Sequence, residues 1–294
     1  MNILIIGGHS FLGRQLKADL ERKLNFVKIY TSTERKQLAN TSSIHVNYQS
    51  LKSVTQLLSS TKPEYIIHLA SYCIRDSSDK ALQRGKTRDD NILNSLISSK
   101  CCPKIIFVSS MAVFSLCDKE IDPSRHEPQS NYGLEKSYMI KKLNDTASKY
   151  SEFSYKIIYP SSIYGKGQSG PMFLPRLYDY IKNDVPMIAY GANKKRDFIH
   201  VKDVSNALTL IVLDYESNAN IHIFVHSFKL FKMSSIASYV CNICKINPIA
   251  FQDSEEDVKK DISEFQMVSE AYRKKLVIPK TIDIYEGLKE MFDD

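Results

Sequence analysis

The sequence predicts an α/β fold in which a doubly wound parallel sheet is joined to a smaller mixed α/β lobe. Through the N-terminal half, short β-branched apolar runs alternate with amphipathic stretches. Continuous apolar runs are typical of strands buried on both faces of a parallel sheet, between two layers of helices. After about Tyr164 a glycine-rich loop follows at 165–171, and the remaining elements are shorter and mixed. This change predicts a first domain at 1–164 and a second at 165–294, partly interleaved with the first.

The elements of the first domain follow from the alternation. An apolar run beside a glycine or polar turn indicates a strand, and apolar residues three or four apart indicate a helix. The predicted strands are 3–6, 26–30, 44–46, 65–69, 104–108 and 155–159, and the predicted helices are 11–24, 51–58 and 81–99.

Composition and charge limit the classes of function. The chain has 294 residues, 43% of them hydrophobic, which is enough for a sizeable core. No apolar stretch approaches the ~18 residues of a membrane span, and the apolar N-terminus is too short for a signal peptide. We therefore expect a cytoplasmic protein with no membrane partner.

The net charge of +7 comes from scattered lysines, so we expect no nucleic-acid partner. The CxxC pair of Cys241 and Cys244 has no second pair to complete a zinc site, so we expect reduced thiols and no metal.

A phosphate-binding turn is predicted between the first strand and the first helix. Three of its residues lie at the positions of a G-x-x-G-x-x-G motif, with a serine at the second. Such a turn brings the backbone close to a pyrophosphate and points the amides of the helix N-terminus at it. A plain strand–helix turn can have the same spacing, but the position after a buried first strand favours a dinucleotide. The expected cofactor contacts are Gly7, Gly8, Ser10, Phe11, Leu12 and Gly13.

The residues after the second predicted strand bear on the choice of cofactor. A NAD-preferring enzyme normally has an acid there to bond the adenosine ribose. This chain has Thr31, Ser32 and Thr33, followed by Glu34, Arg35 and Lys36. Hydroxyls beside cations suit a ribose 2′-phosphate, so we predict NADP in preference to NAD, with Thr31, Ser32 and Arg35 as contacts. In the alternative, Arg35 and Lys36 only solvate a loop.

A candidate acid–base pair follows later in the chain. Tyr132 and Lys136 are four residues apart, so on a helix they share a face. A tyrosine has an unperturbed pKa of about 10, and a nearby ammonium is expected to lower that pKa. Ser109 and Ser110 follow the fifth predicted strand, where a hydroxyl would hold a substrate oxygen beside the tyrosine.

In combination these motifs resemble the NAD(P)-dependent sugar epimerase/dehydratase family of the extended short-chain dehydrogenases/reductases. The resemblance covers residues 3 to about 204 in the family's order. It implies a Rossmann domain at 1–164 that binds the dinucleotide and a lobe at 165–294 that binds the substrate. The matching pieces are 7–13, 68–70, Asn91, 108–110, 132–136, 163–165 and 196–204.

The resemblance also implies roles for single residues. Tyr132 would be the acid/base, Lys136 its partner and Ser110 the hydroxyl that orients the substrate. Arg196 would contact the nucleotide diphosphate of the substrate, since a guanidinium can hold two phosphate oxygens at once. The other implied contacts are Asn47, Leu69, Ala70, Tyr159 and Pro160 for the cofactor, and Ser71, Ser161 and Phe173 for the substrate.

One departure from the family narrows the reaction. The family's 4,6-dehydratases carry Thr-Asp-Glu where this chain has Ser110, Met111 and Ala112, so dehydration lacks its acid and base. Two enzyme activities remain: an NADPH-dependent 4-ketoreductase acting on an NDP-4-keto-6-deoxysugar, and an NAD-dependent nucleotide-sugar 4-epimerase. A non-catalytic NADP-binding regulator is the third alternative. The family also implies surface-polysaccharide synthesis, as in O-antigen and lipopolysaccharide, and a homodimer formed through helices at 81–99 and 132–149.

Overall fold

The computed structural model describes residues 1–34, 43–114, 121–216, 221–253 and 281–293. Strands and helices alternate along most of this length. The strands are β1 (Asn2–Ile6), β2 (Lys28–Thr33), β3 (Ser43–His45), β4 (Tyr65–His68), β5 (Lys104–Val108), β6 (Tyr155–Pro160), β7 (Ser162–Tyr164), β8 (Lys195–His200), β9 (His222–Val225) and β10 (Leu230–Lys232). The helices are α1 (Phe11–Lys23), α2 (Leu51–Thr61), α3 (Asp79–Ser98), α4 (Asn131–Ala147), α5 (Phe173–Asn183), α6 (Val201–Leu213), α7 (Met233–Ile243) and α8 (Ile284–Phe292).

The strands form a seven-stranded sheet in the order β3-β2-β1-β4-β5-β6-β9 and a three-stranded sheet in the order β10-β8-β7. In the larger sheet β1 pairs in parallel with both β2 and β4, and β5 pairs in parallel with β4 and β6. The smaller sheet is mixed, because β8 is parallel to β7 and antiparallel to β10. The predicted fold class, a doubly wound parallel sheet with a smaller mixed part, is confirmed.

The centre of the larger sheet is buried on both faces. Residues Ile3–Ile6 of β1 have no exposed surface, as expected for a strand with helices on either side. Since β1 has β2 on one side and β4 on the other, the strand order reverses at β1. The loop after β1 therefore lies at the topological switch point of the sheet, where α/β proteins of this architecture bind ligands.

The second strand differs from its prediction at 26–30. In the structure β2 spans Lys28–Thr33, with Ile5 opposite Thr31 and Ile6 opposite Ser32. Phe26 adopts a φ of +60°, and its side chain is 98% exposed, so it cannot begin a strand. The β-branched Thr31 and Thr33 extend the strand at its other end. Thr31 and Ser32 are thus part of the sheet rather than of a loop that follows it.

The chain contacts divide into two compact units. The first includes most of the chain as far as Tyr159, together with Ser205–Ile223, and the second includes Pro160–Val204 and Phe224 onwards. The second unit has its own core, built from the sheet β10-β8-β7 and the helices α5, α7 and α8. The assignment of binding roles to domains at 1–164 and 165–294 stays a prediction. Among the described residues, no helix is both long and apolar enough to cross a membrane.

Candidate active site

The loop between β1 and α1 has the geometry of a phosphate-binding turn. Gly7 has a φ of +85°, which favours glycine. A Cβ on Gly13 would lie 2.5 Å from the carbonyl oxygen of Gly7, so only glycine lets α1 start this close to the strand. The Ser10 hydroxyl accepts a hydrogen bond from the Gly13 amide at 3.0 Å and caps α1. A close backbone approach beside a helix N-terminus fits the pyrophosphate of a dinucleotide.

The serine of this motif was interpreted from the sequence only as a tolerable substitute for glycine. The structure gives it a role, since Ser10 is the N-cap residue of α1. The signal was available, because serine is among the residues preferred at that position. Of its neighbours, Leu12 is buried in the core of the first unit and Phe11 is half-buried.

Of the residues predicted to contact the adenosine end of the cofactor, some are buried and some are exposed. Thr31 and Ser32 are buried, and their hydroxyls bond to Ser43 and to the Tyr48 hydroxyl respectively. Asn47 is exposed after β3, where its Oδ1 accepts a hydrogen bond from the Gln49 amide at 3.0 Å. Arg35 lies outside the described residues, as does Lys36. The hydroxyls of Thr31 and Ser32 thus have protein partners in this structure.

Sequence reasoning missed the setting of Glu34, at the carboxyl end of β2. Its Oε2 accepts hydrogen bonds from the Tyr72 hydroxyl at 2.5 Å and from Arg84 Nη2 at 3.2 Å. Tyr72 lies in the loop after β4 and Arg84 on α3, so no local pattern in the sequence indicated these contacts. The acid closest along the chain to Thr31 and Ser32 is therefore already paired with a cation.

The predicted acid–base residue lies beside the predicted orienting serine. Tyr132 is in the first turn of α4, and Ser110 directly precedes a 3-10 turn at Met111–Val113. Burial raises the pKa of Tyr132 to about 12, the nearby Ser110 hydroxyl lowers it, and the Glu135 carboxylate adds to the rise. The tyrosine therefore carries its proton at neutral pH.

Lys136 does not lower the pKa of Tyr132, contrary to the expectation from the sequence. Its Nζ donates to the carbonyl oxygens of Ala70 at 3.2 Å and Val108 at 2.9 Å, at the ends of β4 and β5. Burial lowers the pKa of Lys136 to about 8, and the Glu135 carboxylate raises it. The ammonium is held by backbone oxygens, and burial of Tyr132 dominates its proton affinity. The structure therefore brings Lys136 to Ala70, and Tyr132 to Ser110.

Ser71, which is predicted to contact the substrate, has a protein partner in this structure. Its hydroxyl donates to Glu135 Oε2. Glu135 is fully buried in the first turns of α4, between Tyr132 and Lys136 in the sequence. We did not single out this carboxylate from the sequence, although an acid between the two predicted acid–base residues was a visible signal.

The side chains of Tyr159 and Ser161 are also engaged with protein. Tyr159 is fully buried, and its hydroxyl is 3.1 Å from His222 Nδ1. Ser161, in the second unit, donates its hydroxyl to Asp197 Oδ1 at 2.9 Å. Pro160 is buried. The contacts predicted for Tyr159, Pro160 and Ser161 stay predictions.

The second unit contains a cavity of about 270 Å³ with a basic lining. Arg196, predicted to hold a diphosphate, lines it with two further cations, Arg176 and Lys194. Phe173, which is predicted to contact the substrate, contributes an aromatic face to the cavity. Its ring stacks on that of Phe251, with the ring centroids 6.4 Å apart. Cationic and aromatic groups in one cavity suit an anionic ligand that carries a planar base. The remaining lining residues are Met187, Ile188, Ala189, Tyr190 and Met233.

In the part of the chain that the structure describes, no group of three or more His, Cys, Asp or Glu side chains is arranged to hold a metal ion. Cys241 is buried and Cys244 is half-buried, and no disulfide joins the two.

Comparison with known proteins agrees with this geometry. The sequence model of the NAD dependent epimerase/dehydratase family matches residues 3–225. The chain is 22% identical to the GDP-6-deoxy-D-talose 4-dehydrogenase of Aggregatibacter actinomycetemcomitans over 230 residues, 76% of this chain and 74% of that protein. It is 27% identical to a Methanocaldococcus jannaschii protein named "Putative UDP-glucose 4-epimerase" over 234 residues, 73% of this chain and 74% of that protein.

Solved structures share the fold at low sequence identity. The UDP-glucose 4-epimerase of Thermotoga maritima, crystallised with UDP-glucose, superimposes with a TM-score of 0.82 and is 18% identical. The match covers 100% of this chain and 98% of that one.

Proposed function

Since this chain belongs to the NAD dependent epimerase/dehydratase family, we propose that it uses NADPH to reduce an NDP-4-keto-6-deoxysugar to the NDP-deoxysugar. The observation that carries the proposal is the setting of Glu34 at the end of β2. Its carboxylate is bonded to the Tyr72 hydroxyl and paired with Arg84, so it is not available to bond the adenosine ribose of NAD. This setting favours NADPH, which a reductase consumes and an epimerase does not. Tyr132, whose pKa burial raises to about 12, carries the proton that reduction of a ketone requires.

In the proposed reaction this chain supplies orientation and a proton. A bound nicotinamide dinucleotide would supply the hydride, which together with the Tyr132 proton converts the C4 ketone to an alcohol. Ser110 would orient the ketone oxygen toward Tyr132 Oη. Lys136, held between the Ala70 and Val108 carbonyls, would bond the hydroxyls of the nicotinamide ribose.

Two features disfavour a dehydratase and support redox chemistry at C4. Met111 and Ala112 follow Ser110, and neither side chain can act as the acid or base that water elimination requires. The similar A. actinomycetemcomitans protein is named for oxidation at the 4-position of a GDP-6-deoxyhexose, which is the reverse of the proposed reduction.

For the cofactor we propose NADPH in preference to NADH, with the phosphate turn from Gly7 to Gly13 as its pyrophosphate site. The end of β2 has Thr31 and Ser32 where an acid would bond the ribose of NAD. Glu34 is bonded to Tyr72 and paired with Arg84, so its carboxylate is not available as that acid.

For the substrate we propose that the cavity of the second unit binds the nucleotide. Arg196, with Arg176 and Lys194, supplies positive charge for a diphosphate, and Phe173 supplies a face for the base. We further propose that the protein is a cytoplasmic homodimer joined through α3 and α4, where Ile97 and Leu134 are exposed, and that its product serves surface-polysaccharide synthesis.

An NAD-dependent nucleotide-sugar 4-epimerase is the second candidate, favoured by the 27% identical relative of that name. A non-catalytic NADP-binding regulator is the third, and the presence of both Tyr132 and Lys136 argues against it.

Isotope transfer separates these candidates. The assay supplies NADPH that carries deuterium at the position from which hydride is transferred. With an NDP-4-keto-6-deoxysugar, a reductase gives one equivalent of NADP and a product with deuterium at C4. An epimerase, which returns the hydride it has removed, gives an epimerised sugar without net oxidation of added NADPH. A Tyr132→Phe control should bind NADPH but transfer no deuterium.

A further inference from the structure

A network of buried charged side chains surrounds Glu135, the residue that precedes Lys136 on α4. Arg88 on α3 is 1% exposed and Glu135 is fully buried, and Arg88 Nη2 lies 3.1 Å from Glu135 Oε1. In the proposed reaction, Arg88 and Glu135 have no direct role beside Tyr132 and Lys136. A buried ion pair is costly to desolvate and adds little stability by itself, so its presence calls for another explanation.

Glu135 holds the loop that follows β4. Its two carboxylate oxygens accept hydrogen bonds from the Ser71 hydroxyl, from the Tyr72 amide at 3.1 Å and from the Cys73 amide at 3.0 Å. Three donors from consecutive residues therefore converge on one side chain of α4. The residue directly before this loop is Ala70, whose carbonyl oxygen accepts a hydrogen bond from Lys136.

Arg88 holds the other side of the same loop and the end of β4. Its Nε bonds Asp89 Oδ1 at 2.8 Å, and the same oxygen is 3.0 Å from His68 Nε2 at the last residue of β4. Its guanidinium carbon lies 5.2 Å from the centre of the Tyr72 ring. Burial lowers the pKa of His68 to about 4, so the charges of this network at neutral pH are two cations, Arg88 and Lys136, and two anions, Asp89 and Glu135.

The helix α3 is shaped to admit the carboxylate. A Cβ added to Gly85 would lie 2.3 Å from Glu135 Oε1 and 2.6 Å from its carboxyl carbon. Any larger residue at Gly85 would displace Glu135 from the loop. Position 135 therefore suits a glutamate: Gly85 leaves room for its carboxylate, Arg88 balances its charge, and three donors of the loop bond its oxygens.

We propose that Glu135 and Arg88 are a positioning pair for the reaction, fixing the loop Ser71–Cys73 and, through the Ala70 carbonyl, the ammonium of Lys136. This inference rests on the proposed function for its kinetic consequence. A shift of the loop would move the Ala70 carbonyl and with it the group meant to bond the nicotinamide ribose. Neither residue touches the reacting atoms, so their effect passes through Lys136 and the loop.

The two members of the pair have opposite electrostatic effects. The groups that face Lys136 are Glu135, Arg88, Asp89 and the carbonyls of Ala70 and Val108. Glu135 raises the pKa of Lys136, and Arg88 lowers it. Removal of Glu135 alone should therefore move the Lys136 titration to lower pH, and removal of Arg88 alone should move it to higher pH.

The test compares Glu135→Gln, Arg88→Met and the double variant. Each single change leaves the four buried charges of the network unbalanced and should lower the melting temperature. The double variant restores the balance between Lys136 and Asp89 but leaves Asp89 without Arg88, so it should recover only part of the loss. The glutamine has one acceptor oxygen for three loop donors. We therefore expect the double variant to lose about 10- to 100-fold in kcat, with KM for the nucleotide sugar within about threefold. Amide exchange at Tyr72 and Cys73 should become about tenfold faster.

Asp19→Asn is the matched control. Asp19 is another buried carboxylate of the first unit, accepting hydrogen bonds from Gln15, Arg22 and Ser205 on α1 and α6. Its replacement should lower the melting temperature while leaving kcat and the exchange of Tyr72 and Cys73 at wild-type values.

The positioning proposal is overturned if the double variant keeps wild-type kcat, or if amide exchange in the loop stays at the wild-type rate. Either result would mean that the pair only stabilises the fold. If the singles do not fold, the double variant alone decides. A wild-type protein without any turnover overturns the proposed function instead, and loop exchange then decides whether the pair positions Ser71–Cys73.

Discussion

Burial raises the pKa of Tyr132 to about 12, and the nearby Ser110 hydroxyl lowers it. The tyrosine is therefore protonated at neutral pH, as the proton donor in a ketone reduction must be. The sequence pattern located the residue but not its proton affinity, because desolvation depends on the packing around a side chain and not on its spacing from Lys136.

Replacement of Tyr132 by phenylalanine removes the proton donor and keeps the ring. We expect kcat for sugar reduction to fall by about 10²- to 10⁴-fold, the usual contribution of a general acid. The dissociation constant for NADPH, measured by fluorescence, should change little. A Tyr132→Phe variant that keeps wild-type turnover would contradict the assignment of Tyr132 as the acid.

Lys136 gives a prediction about stability and pH. Its pKa is lowered from 10.5 to about 8 in the folded protein, so between these values the unfolded chain binds more protons and the free energy of unfolding rises with pH. Below about pH 8 the cost of burying the charge is fully present. Lys136→Met lacks this titration, so the free energy of unfolding of the wild type, relative to that of the variant, should rise by about 3 kcal/mol between pH 8 and pH 10.5, from about 1.4 kcal/mol per pKa unit.

Urea unfolding of both proteins at a series of pH values from 7 to about 10 measures this difference. The free energy of unfolding of the wild type should rise relative to that of Lys136→Met as the pH increases above 8. A difference that stays constant over this range would show that the lysine titrates normally in the fold.

At the scale of an element, the start of α1 has a side-chain cap inside the turn that we propose as the phosphate site. The Ser10 hydroxyl caps α1 by accepting from the Gly13 amide. Ser10→Ala should therefore lower the free energy of unfolding by about 1 kcal/mol, and Ser10→Gly by only a few tenths. Urea unfolding of the two variants checks the order, and equal losses would mean that the cap contributes nothing.

Elements with strong periodicity were predictable, and the contacts between distant elements were not. The strand β5 begins and ends at its predicted residues, 104 and 108, because an apolar run is bounded there by polar residues. The strand β2 was shifted, since its limits depend on pairing with β1 and on the left-handed conformation of Phe26. The Glu135–Arg88 pair joins α4 to α3 across a sequence separation of 47 residues, which no local pattern reports.

At the scale of the whole molecule, the net positive charge of the protein and the cations of the second unit's cavity are consistent with an anionic substrate. The net charge of +7 is scattered along the sequence, but three cations converge on the cavity of the second unit. A net positive protein also attracts a substrate that carries a diphosphate. The protein is proposed to be a homodimer, so light scattering should give twice the chain mass of 33.6 kDa. A mass of 33.6 kDa at the assay concentration would contradict dimerisation through α3 and α4.

The central claim, that this protein reduces a nucleotide-linked 4-keto-deoxysugar, is tested most directly by the loss of reduced-nicotinamide absorbance. The assay presents NADPH, and separately NADH, with a panel of NDP-4-keto-6-deoxysugars that differ in nucleotide base. We predict stoichiometric oxidation of NADPH with at least one sugar, and slower oxidation of NADH. No oxidation of either cofactor, with a nucleotide released only when the protein is denatured, would contradict the reductase and favour the epimerase.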